Sequence, residues 1–361
     1  MDTLTSPAIY LKGRGAQLNT VNPFLKNEYV QQHWEGIDSP DLINAERKTQ
    51  VYHEQAKNIV NKVESPDLRM EYSMNPYQGC EHGCVYCYAR NTHQYWGFSA
   101  GLDFERNIVI KENAPVLLEK TLRRKTWVPT PIMLSGNTDC YQPIERKYKL
   151  TRGLLEVLLR FQHPVNIITK NQLILRDLDL LKALAENNLV HVMVSITTVN
   201  EALRQKMEPR TASATQRLKV IEMLAANNIP VGVMNAPIIP ALNSMEIPEV
   251  IRLAANAGAT TSGYNIVRLN GPIGEVFTDW LEKTFPDRAS KVLAQIKECH
   301  GGNLHDSNYG RRMRGEGNIA DSIKQLYKMS VQKYLPNASM PALNTNAFKV
   351  PPQIHQQLRL F

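Results

Sequence analysis

Long apolar runs are missing from this chain of 361 residues: no stretch approaches the roughly 18 apolar residues of a membrane helix. Residues Met1 to Leu11 lack the basic and apolar regions of a secretory signal, so the expectation is a cytoplasmic protein with no membrane partner. Cysteine is scarce, five residues in all, which excludes a disulfide scaffold. Three of the five nonetheless fall within eight residues, Cys80, Cys84 and Cys87, while Cys140 and Cys299 stand apart. Clustered thiols in a reducing compartment point to metal.

Compositional bias is also absent. A hydrophobic share of 43%, a charged share of 21%, 19 Gly and 21 Pro exclude disordered and collagen-like chains. At about 150 residues per domain the length allows two domains, or one large domain with an appendage. There is no acidic excess: 42 Lys and Arg against 34 Asp and Glu give +8, compatible with a polyanionic partner without establishing one.

Residues 1–65 are polar and broken by Pro7, Gly13, Gly15, Pro23 and Pro40, an N-terminal wrap in which Pro40 to Val63 has apolar spacing for a short helix or two. From residue 66 to 270, β-rich runs alternate with amphipathic stretches. The strand candidates are Glu71–Met74, Pro131–Ser135, Val165–Thr169, Val190–Ile196, Pro230–Asn235 and Ser262–Val267. Between them Ala114–Arg124, Leu150–Phe161, Arg176–Asn187, Thr215–Asn228 and Glu246–Ala257 carry apolar residues at helical spacing, with Asn-Asn pairs and Gly258 as stops.

Six such units predict an α/β chain, a partial (β/α)6 TIM-like barrel, with a doubly wound sheet as the alternative. Residues 271–335 read as a helical C-terminal extension with helices at Glu275–Thr284, Arg288–His300 and Ile319–Tyr334. Residues 336–361, with Pro341, Pro351 and Pro352, read as an irregular tail laid over the body or partly mobile.

The chemistry concentrates after the first strand candidate, in Asn75-Pro76-Tyr77-Gln78-Gly79-Cys80-Glu81-His82-Gly83-Cys84-Val85-Tyr86-Cys87-Tyr88-Ala89-Arg90. Spacings of three and two residues let one loop aim three thiolates at a common centre, with Gly79 and Gly83 relieving the bends. Three ligands for a four-iron cube leave one iron open to substrate or cofactor. The alternative is a Cys3His zinc site completed by His82 or His93.

This loop resembles that of the radical S-adenosylmethionine (SAM) superfamily, in which Cys-x3-Cys-x2-Cys holds a [4Fe-4S] cluster and SAM fills the fourth position. The resemblance implies reductive cleavage of SAM to a 5′-deoxyadenosyl radical, fed by a reducing electron donor such as flavodoxin or ferredoxin. It also implies a SAM pocket on the strand ends. Tyr86 matches the position against the adenine, and Gly136 the turn whose carbonyls receive the amino group. Lys170 and Arg210 suit the carboxylate, Ser195 the ribose hydroxyls, and Asn235 is the polar contact of an apolar wall. Taken singly, each also reads as an ordinary rim or surface residue.

Within the superfamily, Asn75-Pro-Tyr-x-Gly-Cys, Cys87-Tyr-Ala-Arg, Ile168-Thr-Lys and Val194-Ser-Ile are similar to the spore photoproduct lyase-like group, whose members include lyases acting on a thymine dimer in DNA. Those lyases carry a presumed hydrogen-donating cysteine just before a Thr-Asp pair. This chain has Asn137 there and Cys140 after Asp139, which makes Cys140 a displaced candidate donor at the rim. A nucleic-acid base or lesion is the leading substrate expectation, with modification of a protein or small molecule as the alternative, and a non-catalytic metal-stabilised nucleic-acid binder as a third class. The basic stretches Tyr309–Glu316 and Arg123–Trp127 are candidate phosphate grips. Gly13-Arg14-Gly15-Ala16 lacks the context of a phosphate loop. Cys299-His300-Gly301-Gly302 has no nearby ligand pair, and His163 and His191 read as structural.

Overall fold

Short Val- and Ile-rich strands separated by amphipathic helices bury both faces most readily as a parallel sheet. The computed structural model describes residues 10–25, 48–68 and 70–352. Its strands in chain order are β1 (Gln50–Glu54), β2 (Val60–Lys62), β3 (Tyr72–Met74), β4 (Tyr77–Gln78), β5 (Asn107–Lys111), β6 (Ile132–Leu134), β7 (Val165–Thr169), β8 (Val190–Ser195), β9 (Val231–Ile238) and β10 (Thr261–Ile266). Strands β3, β6, β7, β8, β9 and β10 lie side by side in that order, all parallel, with β2 antiparallel on the β3 edge.

Spatial order follows chain order without a reversal. A doubly wound sheet reverses at its switch point, so that alternative is excluded. With right-handed crossovers an order that never reverses puts the connecting helices on one side, and the sheet curls into an open partial barrel. The main core lies between the two layers: β6 to β9 bury Leu134, Ile167, Val192 and Val233 against Leu154, Leu184, Leu224 and Val250 of the helices. Each such leucine contributes about 1.5–3 kcal/mol of burial.

Helix ends follow the sequence chemistry. Asn188 (φ +54°), Asn228 (φ +57°) and Gly258 (φ +98°) take the left-handed conformation that ends helices. Ser213 and Gln216 form a reciprocal capping box on the helix Ala214–Ala226. In the C-terminal region the helices are Ile273–Thr284, Pro286–Cys299 and Gly317–Tyr334.

The second sheet departs from expectation. The part of Pro40–Val63 before residue 48 lies outside the described residues, and from there the chain forms β1 and β2 rather than helix. Strand β1 pairs parallel with β5, whose Ile108, Val109 and Ile110 are buried, and β4 closes the sheet antiparallel. Because β4 intervenes, the cysteine loop leaves from this small sheet and not directly from β3.

Residues 336–352 lie over the N-terminal ends of the barrel strands. Ser339 N donates to Thr260 O (3.0 Å), Asn344 N to Asn188 O (2.9 Å) and Lys349 N to Phe161 O (3.0 Å). Arg123 belongs to this same face, ion-paired to Glu119 at 2.7 Å and donating to Pro351 O, while Trp127 packs on His163. The Arg123–Trp127 stretch therefore sits opposite the cysteine loop, which corrects its expected part in gripping a substrate there.

Candidate metal and cofactor site

The loop that carries the three thiols is bent by glycine where no other residue fits. Gly79 (φ +80°) and Gly83 (φ +67°) are left-handed; a Cβ on Gly79 would lie 2.7 Å from Asn107 O and one on Gly83 2.7 Å from Glu105 Oε2. Arg90, fully buried, donates to the carbonyls of Cys84 (3.0 Å), Ala100 (3.2 Å) and Gly101 (2.8 Å), fastening the end of the loop to its start. From the C-terminal region, Phe277 and Trp280 of the helix Ile273–Thr284 pack with Val85 and Tyr86.

The N-terminal segment closes the other side. A Cβ on Gly15 would lie 1.8 Å from Gly83 O, so the two backbones touch directly. Gly15 N and Ala16 N donate to the Glu105 carboxylate at 3.2 and 2.7 Å. The Gly13–Ala16 motif is thus a backbone clasp on the cysteine loop.

Cys80 and Cys84 are buried and Cys87 nearly so. Burial raises all three thiol pKa values; at Cys80, Asp139 and the other two thiols raise it further. The backbone amides of His82 and Ala89 oppose that rise at Cys80 and Cys87 respectively. Three soft thiolate donors on a buried loop suit an iron–sulfur group. Among the described residues no three Cys, His, Asp or Glu side chains converge as a single-ion site would require. His82 is committed to Asn171 Nδ2 (3.0 Å) and to Asp139 Oδ2 (3.4 Å), and His93 lies between Phe98 and Phe104, where burial lowers its pKa to about 4.

The other candidate residues gather at the C-terminal edge of the sheet. Lys170, just past β7, places Nζ 5.9 Å from the centre of the Tyr86 ring. The Tyr86 hydroxyl donates to Glu208 and meets Thr197 Oγ1 at 3.2 Å. Burial raises the Glu208 pKa, but Arg217, Lys170 and Tyr86 together bring it down to about 2. Ser195 ends β8, its carbonyl accepting from Arg217 Nη1 at 2.9 Å. In β9, Asn235 donates to Ile196 O at 2.9 Å while its buried Oδ1 has no partner. Gly136 O accepts from the Tyr88 hydroxyl at 2.5 Å, and Arg210 N donates to His82 O at 3.3 Å.

Cys140 follows Asp139 just past the end of β6. It is fully buried in the main core, with its amide bonded to Ser135 Oγ (2.7 Å) and its carbonyl to Thr151 Oγ1 (2.6 Å). The thiol expected to be open at the rim is thus enclosed by the core.

Four residues matter here that sequence reasoning passed over in these roles. His82 was weighed only as a zinc ligand, Asp139 served only to place Cys140, and Glu208 carried no signal. Arg217, on a helix, carried no signal. Asp139 accepts from Thr169 Oγ1, Lys170 N and Tyr141 N at 2.8, 2.8 and 2.9 Å. Burial raises its pKa, yet His82 and these donors hold it below the usual carboxylate value.

An open, singly wound parallel barrel with a three-cysteine loop at its C-terminal rim defines the radical SAM class of enzyme. The Radical SAM superfamily model matches residues 74–254, and the chain belongs to that superfamily, which implies SAM and an iron–sulfur cluster. An uncharacterized protein of Mycobacterium tuberculosis (strain ATCC 25618 / H37Rv) is 33% identical over 264 residues, 71% of this chain and 78% of the relative. An uncharacterized protein of Methanocaldococcus jannaschii is 29% identical over 240 residues, 66% of this chain and 85% of the relative. Among solved structures, a spore photoproduct lyase variant with bound SAM and dinucleoside spore photoproduct superposes with a TM-score of 0.59 over 85% of this chain and 86% of that one, at 17% identity. The likeness is one of fold. Among the described residues no helix is long and apolar enough to cross a membrane.

Proposed function

We propose that Cys80, Cys84 and Cys87 hold a [4Fe-4S] cluster whose fourth iron receives SAM, and that the enzyme acts on a nucleic-acid base or lesion as a lyase in the cytoplasm. The observation that carries the cofactor reading is a glycine-bent loop carrying three buried or half-buried thiols beside Lys170, whose Nζ lies 5.9 Å from the centre of the Tyr86 ring. Once bound, the cluster and SAM supply a 5′-deoxyadenosyl radical for hydrogen abstraction, with the electron coming from a flavodoxin- or ferredoxin-type donor.

In this reading Lys170 fixes the SAM carboxylate as a point charge, with Arg210 as a second cation beside the loop. Ser195 and Asn235 offer hydroxyl and amide groups to the nucleoside, and Tyr86 lies against the adenine. Gly136 supplies its carbonyl to the amino group once the Tyr88 hydroxyl yields it.

The substrate part rests on the likeness to the lyase fold, the net charge of +8 and one surface feature. The Tyr309–Glu316 loop is tied to the end of β10, Ile266 N donating to Met313 O at 3.0 Å, on the same rim as the thiols. Its charges are partly committed, Arg311 to Asp306 and Glu316, and Arg312 to Asp67, while Tyr309 stays exposed.

The test is deuterium transfer. Anaerobic reconstituted chain is given SAM, reductant and irradiated DNA deuterated in its bases. Deuterium in 5′-deoxyadenosine supports a nucleic-acid substrate. Unlabelled 5′-deoxyadenosine from this DNA, with label acquired only when a deuterated protein or small molecule is supplied instead, overturns that part, and stoichiometric zinc without cleavage overturns the enzyme reading.

A further inference from the structure

We infer that His82 is a positioning residue that locks the cysteine loop to the end of β7, so that the thiols and Lys170 hold SAM from fixed relative positions. The assignment rests on the cofactor reading above and goes beyond it.

The hydrogen bonds set the direction of the lock. Asn171 Oδ1 accepts from Leu173 N at 3.0 Å, which orients the amide and leaves Nδ2 as the group facing His82 Nε2 at 3.0 Å. An amide nitrogen only donates, so Nε2 accepts and the ring proton sits on Nδ1, toward Asp139 Oδ2 at 3.4 Å. The Asp139 carboxylate takes the Lys170 amide at 2.8 Å on that same oxygen, and Thr169 Oγ1 on the other. One imidazole, 1% exposed, therefore joins the loop to the two residues flanking it in β7's exit, Asp139 serving as the bridge.

His82 also reaches the thiols through its backbone. It lies two residues from Cys80 and two from Cys84, and its carbonyl accepts from Arg210 N at 3.3 Å. A shift of this residue moves the Cys80 sulfur and both cationic candidates, Lys170 and Arg210, relative to one another. Groups that orient ligands in this way commonly change affinity by about 10–100-fold when removed.

The experiment uses the full chain, reconstituted anaerobically, as wild type, His82→Ala, Asp139→Asn and Asn171→Ala. Three quantities are read: iron content, the electron paramagnetic resonance spectrum of the reduced cluster with and without SAM, and the dissociation constant for SAM from that titration. The wild type is expected to show a SAM-induced spectral change. His82→Ala and Asp139→Asn should retain the cluster while needing at least about tenfold more SAM for that change. A fifth chain combining His82→Ala with Asp139→Asn should lose no more than the worse of the two single variants, since both break the same link.

Unchanged spectra and affinity in all variants would overturn the assignment, as would lower thermal stability alone. Should the two loop-side variants fail to assemble a cluster, Asn171→Ala decides: it removes only the Nε2 partner, and wild-type affinity there overturns the assignment. A wild-type chain that holds iron and sulfide but shows no response to SAM overturns the cofactor reading itself, a result distinct from the others.

Discussion

Arg90 Nη2 lies 2.6 Å from Glu105 Oε1, with both side chains fully buried, and this pair joins the cysteine loop to the N-terminal clasp. The carboxylate is also the acceptor for Gly15 N and Ala16 N, so one buried charge organises two backbone segments. Removing Arg90 leaves the buried Glu105 carboxylate without its ion-pair partner. Arg90→Met is expected to cost about 3–5 kcal/mol in equilibrium unfolding of the metal-free chain. A loss below about 1 kcal/mol would show that the pair is not what holds the loop.

Gly15→Ala tests the clasp itself. The added methyl would fall 1.8 Å from Gly83 O, a backbone atom that cannot turn aside. Overpacking of this kind costs about 1–3 kcal/mol or displaces the segment. Limited proteolysis should cut the variant within residues 10–25 faster than the wild type; equal rates would mean that the contact is not maintained.

Cys140→Ala should behave as a core substitution. The thiol is fully buried in the main core, so the expected effect is a loss on the order of 1 kcal/mol in stability with SAM cleavage and product ratios unchanged. Altered product partitioning would restore Cys140 as a hydrogen donor.

His163 gives a pH signature far from the thiols. Burial lowers its pKa from 6.5 to about 4, against the raising effect of the Pro164 carbonyl. The unfolded chain therefore takes up the proton first on acidification. The stability of the neutral form is present above pH 6.5 and is lost progressively down to about pH 4. Denaturant midpoints across that window should fall by up to about 1.4 kcal/mol per pH unit through this site. His163→Gln should flatten that part of the slope, and an unaltered slope would contradict the assignment.

The barrel was legible because its central strands β7, β8 and β9 are short Val- and Ile-rich runs, each followed by an amphipathic helix, with helix stops as at Asn188 and Asn228. Each unit announces itself locally. The small sheet was not legible, because β1 finds its partner β5 across more than fifty residues and the helix Ala114–Leu122 that follows Asn107-Ile-Val-Ile-Lys reads as the helix of the first barrel strand. The thiol triad stood out by spacing alone. Its supports did not: Glu105, Glu208 and Arg217 are charged residues whose burial depends on partners distant in the chain. Cys140 misled because adjacency to a rim motif was taken for exposure, whereas its thiol is enclosed by the core.

The most direct measurement is anaerobic reconstitution of the full chain, followed by iron and sulfide analysis and assay of SAM cleavage under reduction. About four iron and four sulfide per chain with formation of 5′-deoxyadenosine, both lost on replacing Cys80, Cys84 or Cys87 by Ala, is the predicted result. A fourth protein side chain bonded to the cluster, or an assembled cluster that leaves SAM intact, would contradict it.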